Sequence, residues 1–240
     1  ASLGKTRMRV RMKNDNNGSS NTTPCGNSSF GEVEDYTLVF YDDYVYYDSA
    51  WTPTNPSGLS TASDNVLVVD GSPTLSGATE SNILTILPFK SLNIEGVLEV
   101  TTGIENNGTL VFKSNATSTG QLNTFPGTIS GSGNVTVERF IPAGDNSKRA
   151  YRFVTSAVST SNSIKMNWQE GANNTSTINL NPNPGYGTHI SGSITGANGF
   201  DTTGSGDSSL FTFDHVGQTW GSVPNTDIHT LDAGAPYRLM

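Results

Sequence analysis

Short runs of alternating apolar and polar residues, separated by polar turns, recur along this chain. In Thr6-Arg7-Met8-Arg9-Val10-Arg11-Met12 the two-residue period of a strand sends Arg7, Arg9 and Arg11 to one face and Met8, Val10 and Met12 to the other. The run from Gly31 to Phe40 has the same period, with Glu32 and Glu34 sharing a face. Antiparallel pairing of the two is expected to set Glu32 and Glu34 opposite Arg9 and Arg11 as a structural ion ladder, each pair contributing roughly 0.2–1 kcal/mol. The alternative is a divalent cation held by Glu32, Glu34 and Asp35, since hard cations favour oxygen ligands. Three arginines already supply countercharge, which favours the ladder.

From Asp64 to Ile141 the pattern becomes repetitive. Asn65-Val66-Leu67-Val68-Val69, Asn82-Ile83-Leu84-Thr85-Ile86, Leu92-Asn93-Ile94, Gly96-Val97-Leu98-Glu99-Val100, Gly108-Thr109-Leu110-Val111-Phe112 and Gly133-Asn134-Val135-Thr136-Val137 are brief strands, most of them opened by Asn or Gly. Their spacing and lack of helical intervals fit the stacked coils of a parallel β-helix, in which each coil buries inward side chains against the next. The expected core is Val66, Val68, Ile83, Leu92, Ile94, Leu98, Val100, Leu110, Phe112, Val135 and Val137. A meandering antiparallel sandwich has the same periodicity and stays open.

The whole chain therefore reads as all-β. Residues 1–41 are the closing part of a β-sandwich module, 42–58 a linker and cap, 59–141 a β-helix-like solenoid, and 142–240 a small β-sandwich-like region cut short at its end. Around 42–58, Tyr41, Tyr44, Tyr46, Tyr47 and Trp51 are expected to cover the open end of the solenoid, with a sugar-stacking platform as the other reading. In the last region Ala150 to Val154, Leu210 to Phe213 and Tyr237 to Met240 are expected strands. Ser163 to Trp168 is the one expected helical turn, capped by Ser163 or Asn162.

Composition narrows function more than fold. Charged residues are only 14% of the chain and Gly contributes 26 residues, a bias toward strands and tight turns. The formal net charge of −8 argues against nucleic acid as a partner, because that affinity comes from Lys and Arg displacing counterions. No apolar run is long enough for a membrane-spanning helix. Cys25 is the single cysteine, so a disulfide needs a partner outside this sequence, and the chain is expected to be a fragment of a larger protein.

Catalytic patterns are weak. His189, His215 and His229 lack the i, i+4 spacing of zinc ligands on a helix, and Asp201, Asp207, Asp214 and Asp227 show no pairing suited to a glycosidase. No G-x-S-x-G elbow occurs, Cys25 has no histidine nearby in sequence, and Gly131-Ser132-Gly133 and Gly204-Ser205-Gly206 read as turns. The loop after Lys13 matches an EF-hand at Asp15, Asn17 and Gly18, but Lys13 and Pro24 stand where ligands are required. No catalytic residue and no cofactor is assigned. The Asp/Asn/Gly loops elsewhere could still supply oxygens to a structural calcium.

With Pro24-Cys25-Gly26, the segment Gly31-Glu32-Val33-Glu34-Asp35 resembles the GEVED module of secreted and cell-surface proteins of Bacteroidetes. Gly131 to Pro142, Arg149 to Phe153, Asn167 to Gly171, Pro184 to Ile190, Gly199-Phe200-Asp201 and Gly234 to Met240 resemble flavobacterial adhesin-like β-helix proteins exported by the type IX secretion system. No C-terminal sorting domain is present in this sequence, a departure from that pattern. The resemblance implies an extracellular or cell-surface location, the type IX translocon as partner during export, and glycans or surfaces as ligands. Asp48-Ser49-Ala50 resembles the short O-glycosylation sequon of such proteins, making Ser49 a candidate.

The expected role is a non-catalytic structural or adhesive segment of a large exported protein. The alternatives are a carbohydrate-binding or polysaccharide-degrading β-helix protein, and a passive spacer whose active domain lies elsewhere.

Overall fold

A computed structural model describes residues 4–13, 31–40, 43–123, 125–141, 151–171 and 187–240. Cys25, the EF-hand-like loop and the Pro184-Gly185-Tyr186 motif lie outside the described residues. The protein is all-β. The chain divides into two compact units, Ala1–Lys113 with Ser118–Asn134, and Ser114–Thr117 with Val135–Met240.

In the first unit β1 (Gly4–Lys13) and β2 (Gly31–Phe40) form an antiparallel ribbon. Its register departs from the expected ladder. Arg9 faces Asp35, Val10 faces Glu34, Arg11 faces Val33 and Met12 faces Glu32. A one-residue slip in pairing exchanges the two faces of a strand, so Glu32 and Glu34 line the methionine face and Asp35 the arginine face. The three carboxylates therefore do not share a face as a cation site would require.

The solenoid follows. β3 (Tyr44–Tyr47) and β4 (Ala50–Thr52) form a hairpin within the segment expected as linker and cap. The coils then comprise β5 (Val66–Val68), β6 (Thr74–Leu75), β7 (Thr79–Ile86), β8 (Ser91–Ile94), β9 (Val97–Asn106), β10 (Thr109–Phe112), β11 (Gln121–Leu122) and β12 (Thr128–Ser130). β13 (Asn134–Val137) runs from the first unit into the second. β3, β5, β7 and β9 pair in parallel, with β11 and β12 one after the other along β9, at Val97–Leu98 and Gly103–Glu105, while β6, β8 and β10 form a second parallel set.

Parallel in-register stacking puts like positions of successive coils in columns. Val66, Leu84 and Ile104 form one inward column, Val68, Ile86 and Asn106 a second, and Leu75, Ile94 and Phe112 a third. All nine side chains are buried, eight of them at 0–1% exposure, so each coil closes part of its neighbour's dry interior. Burying one such aliphatic side chain contributes roughly 1.5–3 kcal/mol, which no isolated coil could recover. Tyr44 and Tyr46 continue the first two columns at the starting end, and Tyr46 meets Trp51 edge to face at 5.2 Å. Tyr44 and Tyr46 are half-buried there, Tyr47 is exposed, and Tyr41 lies outside the described residues.

Ile83 corrects the expected core, since it faces outward and Leu84 points in. The β7–β9 register shifts between Ser81 and Ile83, where both strands turn a corner, so two outward residues separate inward Ser81 from inward Leu84. Val135 and Val137 are half-buried.

The corners explain the Asn and Gly that open the strands. Asn82 Nδ2 donates to Asn65 Oδ1 at 3.4 Å and Thr102 Oγ1 donates to Asn82 Oδ1 at 2.6 Å, tying three coils together. Buried Asn106 has both ends satisfied: Nδ2 donates to Asn134 O at 2.8 Å and Oδ1 accepts from Gly108 N at 3.1 Å. At the next corner a Cβ on Gly96 would lie 2.3 Å from Gly77 O, and one on Gly120 would lie 2.0 Å from Ile94 O. Glycine there is required by the close approach of stacked backbones.

The second unit contains β14 (Arg152–Val154), β15 (Thr160–Ser163), α1 (Ile164–Asn167), β16 (Ser191–Ser193), β17 (Asp201–Thr202), β18 (Leu210–Asp214), β19 (Thr219–Ser222), β20 (Thr230–Leu231) and β21 (Tyr237–Leu239). The expected helical turn is α1, with the Ser163 hydroxyl accepting from Met166 N at 3.3 Å. An antiparallel sheet in the order β14, β21, β18, β19 is joined by the pairs β15–β20 and β16–β17. Ile164, Ile190, Phe200, Leu210, Val223, Leu231, Tyr237 and Leu239 form the core.

Candidate ligand-binding face of the C-terminal sheet

Strand alternation divides this four-stranded sheet into two unlike faces. Leu210, Tyr237 and Leu239 point into the core, where Trp168 meets Tyr237 edge to face at 5.2 Å. Burial pushes the Tyr237 phenol pKa up, and the nearby Asp232 carboxylate adds to the shift. The intervening residues Phe153, Phe211, Phe213, Trp220 and Arg238 face the other way. Across the sheet Phe153 stands beside Arg238, Arg238 beside Phe211, and Phe213 beside Trp220.

The result is a second apolar layer without a sheet packed on it among the described residues. Phe153 is 74% exposed and Tyr151 58%, while Phe211, Phe213 and Trp220 are half-buried against one another. Trp220 lies 5.8 Å from Phe153 and 5.0 Å from Phe213, both tilted, and Phe213 stacks edge to face on His215 at 5.1 Å. The Arg238 guanidinium carbon lies 4.4 Å from the Phe211 centroid, 4.9 Å from Tyr151 and 5.1 Å from Trp220. Such contacts contribute about 0.5–1 kcal/mol each when exposed, more when dry. A contiguous exposed aromatic surface of this kind marks an interaction site. Chemically it can stack on flat apolar faces and offer N–H donors from one cation.

Apart from His215, the residues singled out from sequence lie elsewhere. Arg9 Nε donates to Asp35 Oδ1 at 2.7 Å and Nη2 to Oδ2 at 2.9 Å, with Arg7 also 3.7 Å from Asp35. The Arg9 hydrogen bonds hold the Asp35 carboxyl below its usual range. Arg11 lies on the same ribbon face as Arg9, and Glu34 accepts a hydrogen bond from Tyr36 on the opposite one. Ser49 sits at the exposed tip of the β3–β4 hairpin, where Asp48 and Ser49 both have positive φ, 52° and 63°.

The histidines are dispersed. His189 Nδ1 is 3.2 Å from Asp201 Oδ2 without the alignment of a hydrogen bond, and His229 Nδ1 contacts Asn225 O at 2.7 Å. Buried Asp201 accepts from Ile190 N at 2.9 Å, which ties β17 to the core. Asp227 lies 3.4 Å from Lys165, and Asp214 accepts from Val216 N in its own turn. Among the described residues no group of three His, Cys, Asp or Glu is placed to hold a metal ion. No helix there is long and apolar enough to cross a membrane.

The aromatic face was missed because its members come from three separated stretches, 151–153, 211–220 and 238. Two signals were available: Tyr151-Arg152-Phe153 and Phe211-Thr212-Phe213 alternate aromatics, and Leu210-Phe211 puts large apolar groups on both faces of one strand.

Residues 1–39 match the GEVED domain family. No curated protein and no solved structure matches the chain. A GEVED-similar segment thus precedes a β-solenoid in this polypeptide.

Proposed function

We propose that this chain is a non-catalytic structural and adhesive segment of a large protein that works outside the cell or on its surface. The observation that carries this reading is the column packing of the solenoid, whose coils bury apolar side chains against one another and turn mostly polar ones outward. That construction suits a stiff support. Attachment then comes from many weak contacts, because linked modules raise one another's effective concentration. Export through the type IX secretion system rests on the resemblance of the sequence motifs.

Deleting the segment from its parent protein is expected to reduce surface attachment or disturb the surface layer. If both persist unchanged, the role is wrong. A parent protein that still reaches the surface of cells lacking the type IX translocon would remove the export route. Replacing the segment with an unrelated solenoid of equal length separates adhesion from spacing, since full rescue would leave only the spacer role.

A second reading, carbohydrate binding, is favoured by the open aromatic face around Trp220. Sugar rings present C–H surfaces that stack on aromatic rings, and neither Trp51 nor Trp168 offers a comparable layer, as each packs edge to face on a tyrosine.

A further inference from the structure

Arg238 is the unusual member of the aromatic face. The chain is rich in carboxylates, 21 Asp and Glu in all, yet among the described residues rings rather than a carboxylate meet this guanidinium. Among the described residues its buried Nε has no hydrogen-bond partner, so a donor has given up water without an acceptor there in return. Its side chain as a whole is only half-buried. The neighbouring rings fix the guanidinium in place while leaving its demand for an anion unmet.

We propose that this face binds a carboxylate-bearing sugar chain. Its sugar rings lie against Phe153 and Trp220, and its carboxylate accepts hydrogen bonds from Arg238. The proposal rests on the carbohydrate-binding reading above and adds the class of sugar. Shape agrees with a sugar unit seated on a compact patch: the Phe153 and Trp220 centroids lie 5.8 Å apart, and the Arg238 guanidinium carbon is 5.1 Å from the Trp220 ring. Charge agrees too. One cation that no carboxylate answers among the described residues, set among apolar rings, complements an isolated carboxylate on a C–H-rich ring. A dense phosphate backbone would need many cations, and the chain carries 13 Lys and Arg against a net charge of −8.

The test titrates the chain with xylo-oligosaccharides carrying a single glucuronate, with the same oligosaccharides methyl-esterified, and with neutral xylo-oligosaccharides, following heat and tryptophan fluorescence. The acid form is expected to bind about tenfold more tightly than the ester, in proportion to a charge-assisted hydrogen bond. Arg238→Gln is expected to erase that preference. Phe153→Ala, at a side chain 74% exposed, is expected to weaken all binding without disturbing the fold, which circular dichroism checks.

Equal binding of acid and ester, or preference for the neutral sugars, overturns the carboxylate assignment and leaves carbohydrate binding standing. That comparison uses the unaltered chain, so it holds even if Arg238→Gln fails to fold. Absence of binding to all three overturns both readings. Concentration-dependent self-association that Phe153→Ala abolishes would assign the face to a second copy of the chain and overturn the proposal.

Discussion

Neighbouring residues Ile83 and Leu84 give the sharpest test of the solenoid's phase. Leu84 is 0% exposed, between Val66 of the preceding coil and Ile104 of the next, whereas Ile83 is 37% exposed on the outside of the corner. Leu84→Ala removes apolar atoms from a site closed on two sides by other coils. The lost transfer energy plus the unfilled cavity amounts to about 2–5 kcal/mol. Ile83→Ala removes as much side chain from a surface position and is expected to cost about 1 kcal/mol or less, mostly strand preference. The melting temperature should fall by roughly 5–15 °C for Leu84→Ala and by only a few degrees for Ile83→Ala. Because the chain has two compact units, amide exchange in β7 and β9 should accompany the melt, so the loss is read where it arises. A larger loss for Ile83→Ala than for Leu84→Ala would refute the corner and restore strict alternation through β7.

Three further outcomes follow from local geometry. Gly108→Ala should destabilise the solenoid by roughly 1–3 kcal/mol in denaturant titration, since its Cβ would lie 2.2 Å from Lys90 O and 2.6 Å from Leu87 O; an unchanged midpoint would mean the coils are not so closely stacked. Arg9→Gln should raise the Asp35 pKa toward its ordinary value in a carbon-detected NMR titration. Because the folded value is depressed, the stabilisation from this pair is present above the ordinary carboxylate range and is lost as pH falls through the folded pKa, so acid should loosen the ribbon less in the variant. The peptide containing Ser49, taken from native material, should carry a glycan mass, because the residue stands at an exposed hairpin tip; an unmodified native peptide removes the modification.

Legibility followed the range of the interaction that decides each feature. The solenoid strands were readable because Gly and Asn open them for a repeated local reason: backbones approach at Gly96, Gly108 and Gly120, and Asn65 and Asn82 hydrogen-bond along the stack. Inward positions followed by alternation except at Ile83, where a corner inserts an extra outward residue that hydrophobicity alone does not mark. The β1–β2 register was not readable. Seventeen residues separate Lys13 from Gly31, and no turn chemistry in so long a connection fixes whether Glu34 or Asp35 meets Arg9. The aromatic face was harder still, since it exists only when β14, β18, β19 and β21 come together.

The column of bare α-carbons at Gly77, Gly96 and Gly120 has a consequence for how such a chain changes length. Each coil docks on its neighbour through main-chain atoms that every coil possesses, so the joint is generic. A duplicated segment that keeps a glycine two residues ahead of its first inward side chain, as Gly77 precedes Thr79, Gly96 precedes Leu98 and Gly120 precedes Leu122, would seat provided its inward positions continue the apolar columns. Extension and contraction of the solenoid by whole turns thus become small genetic steps.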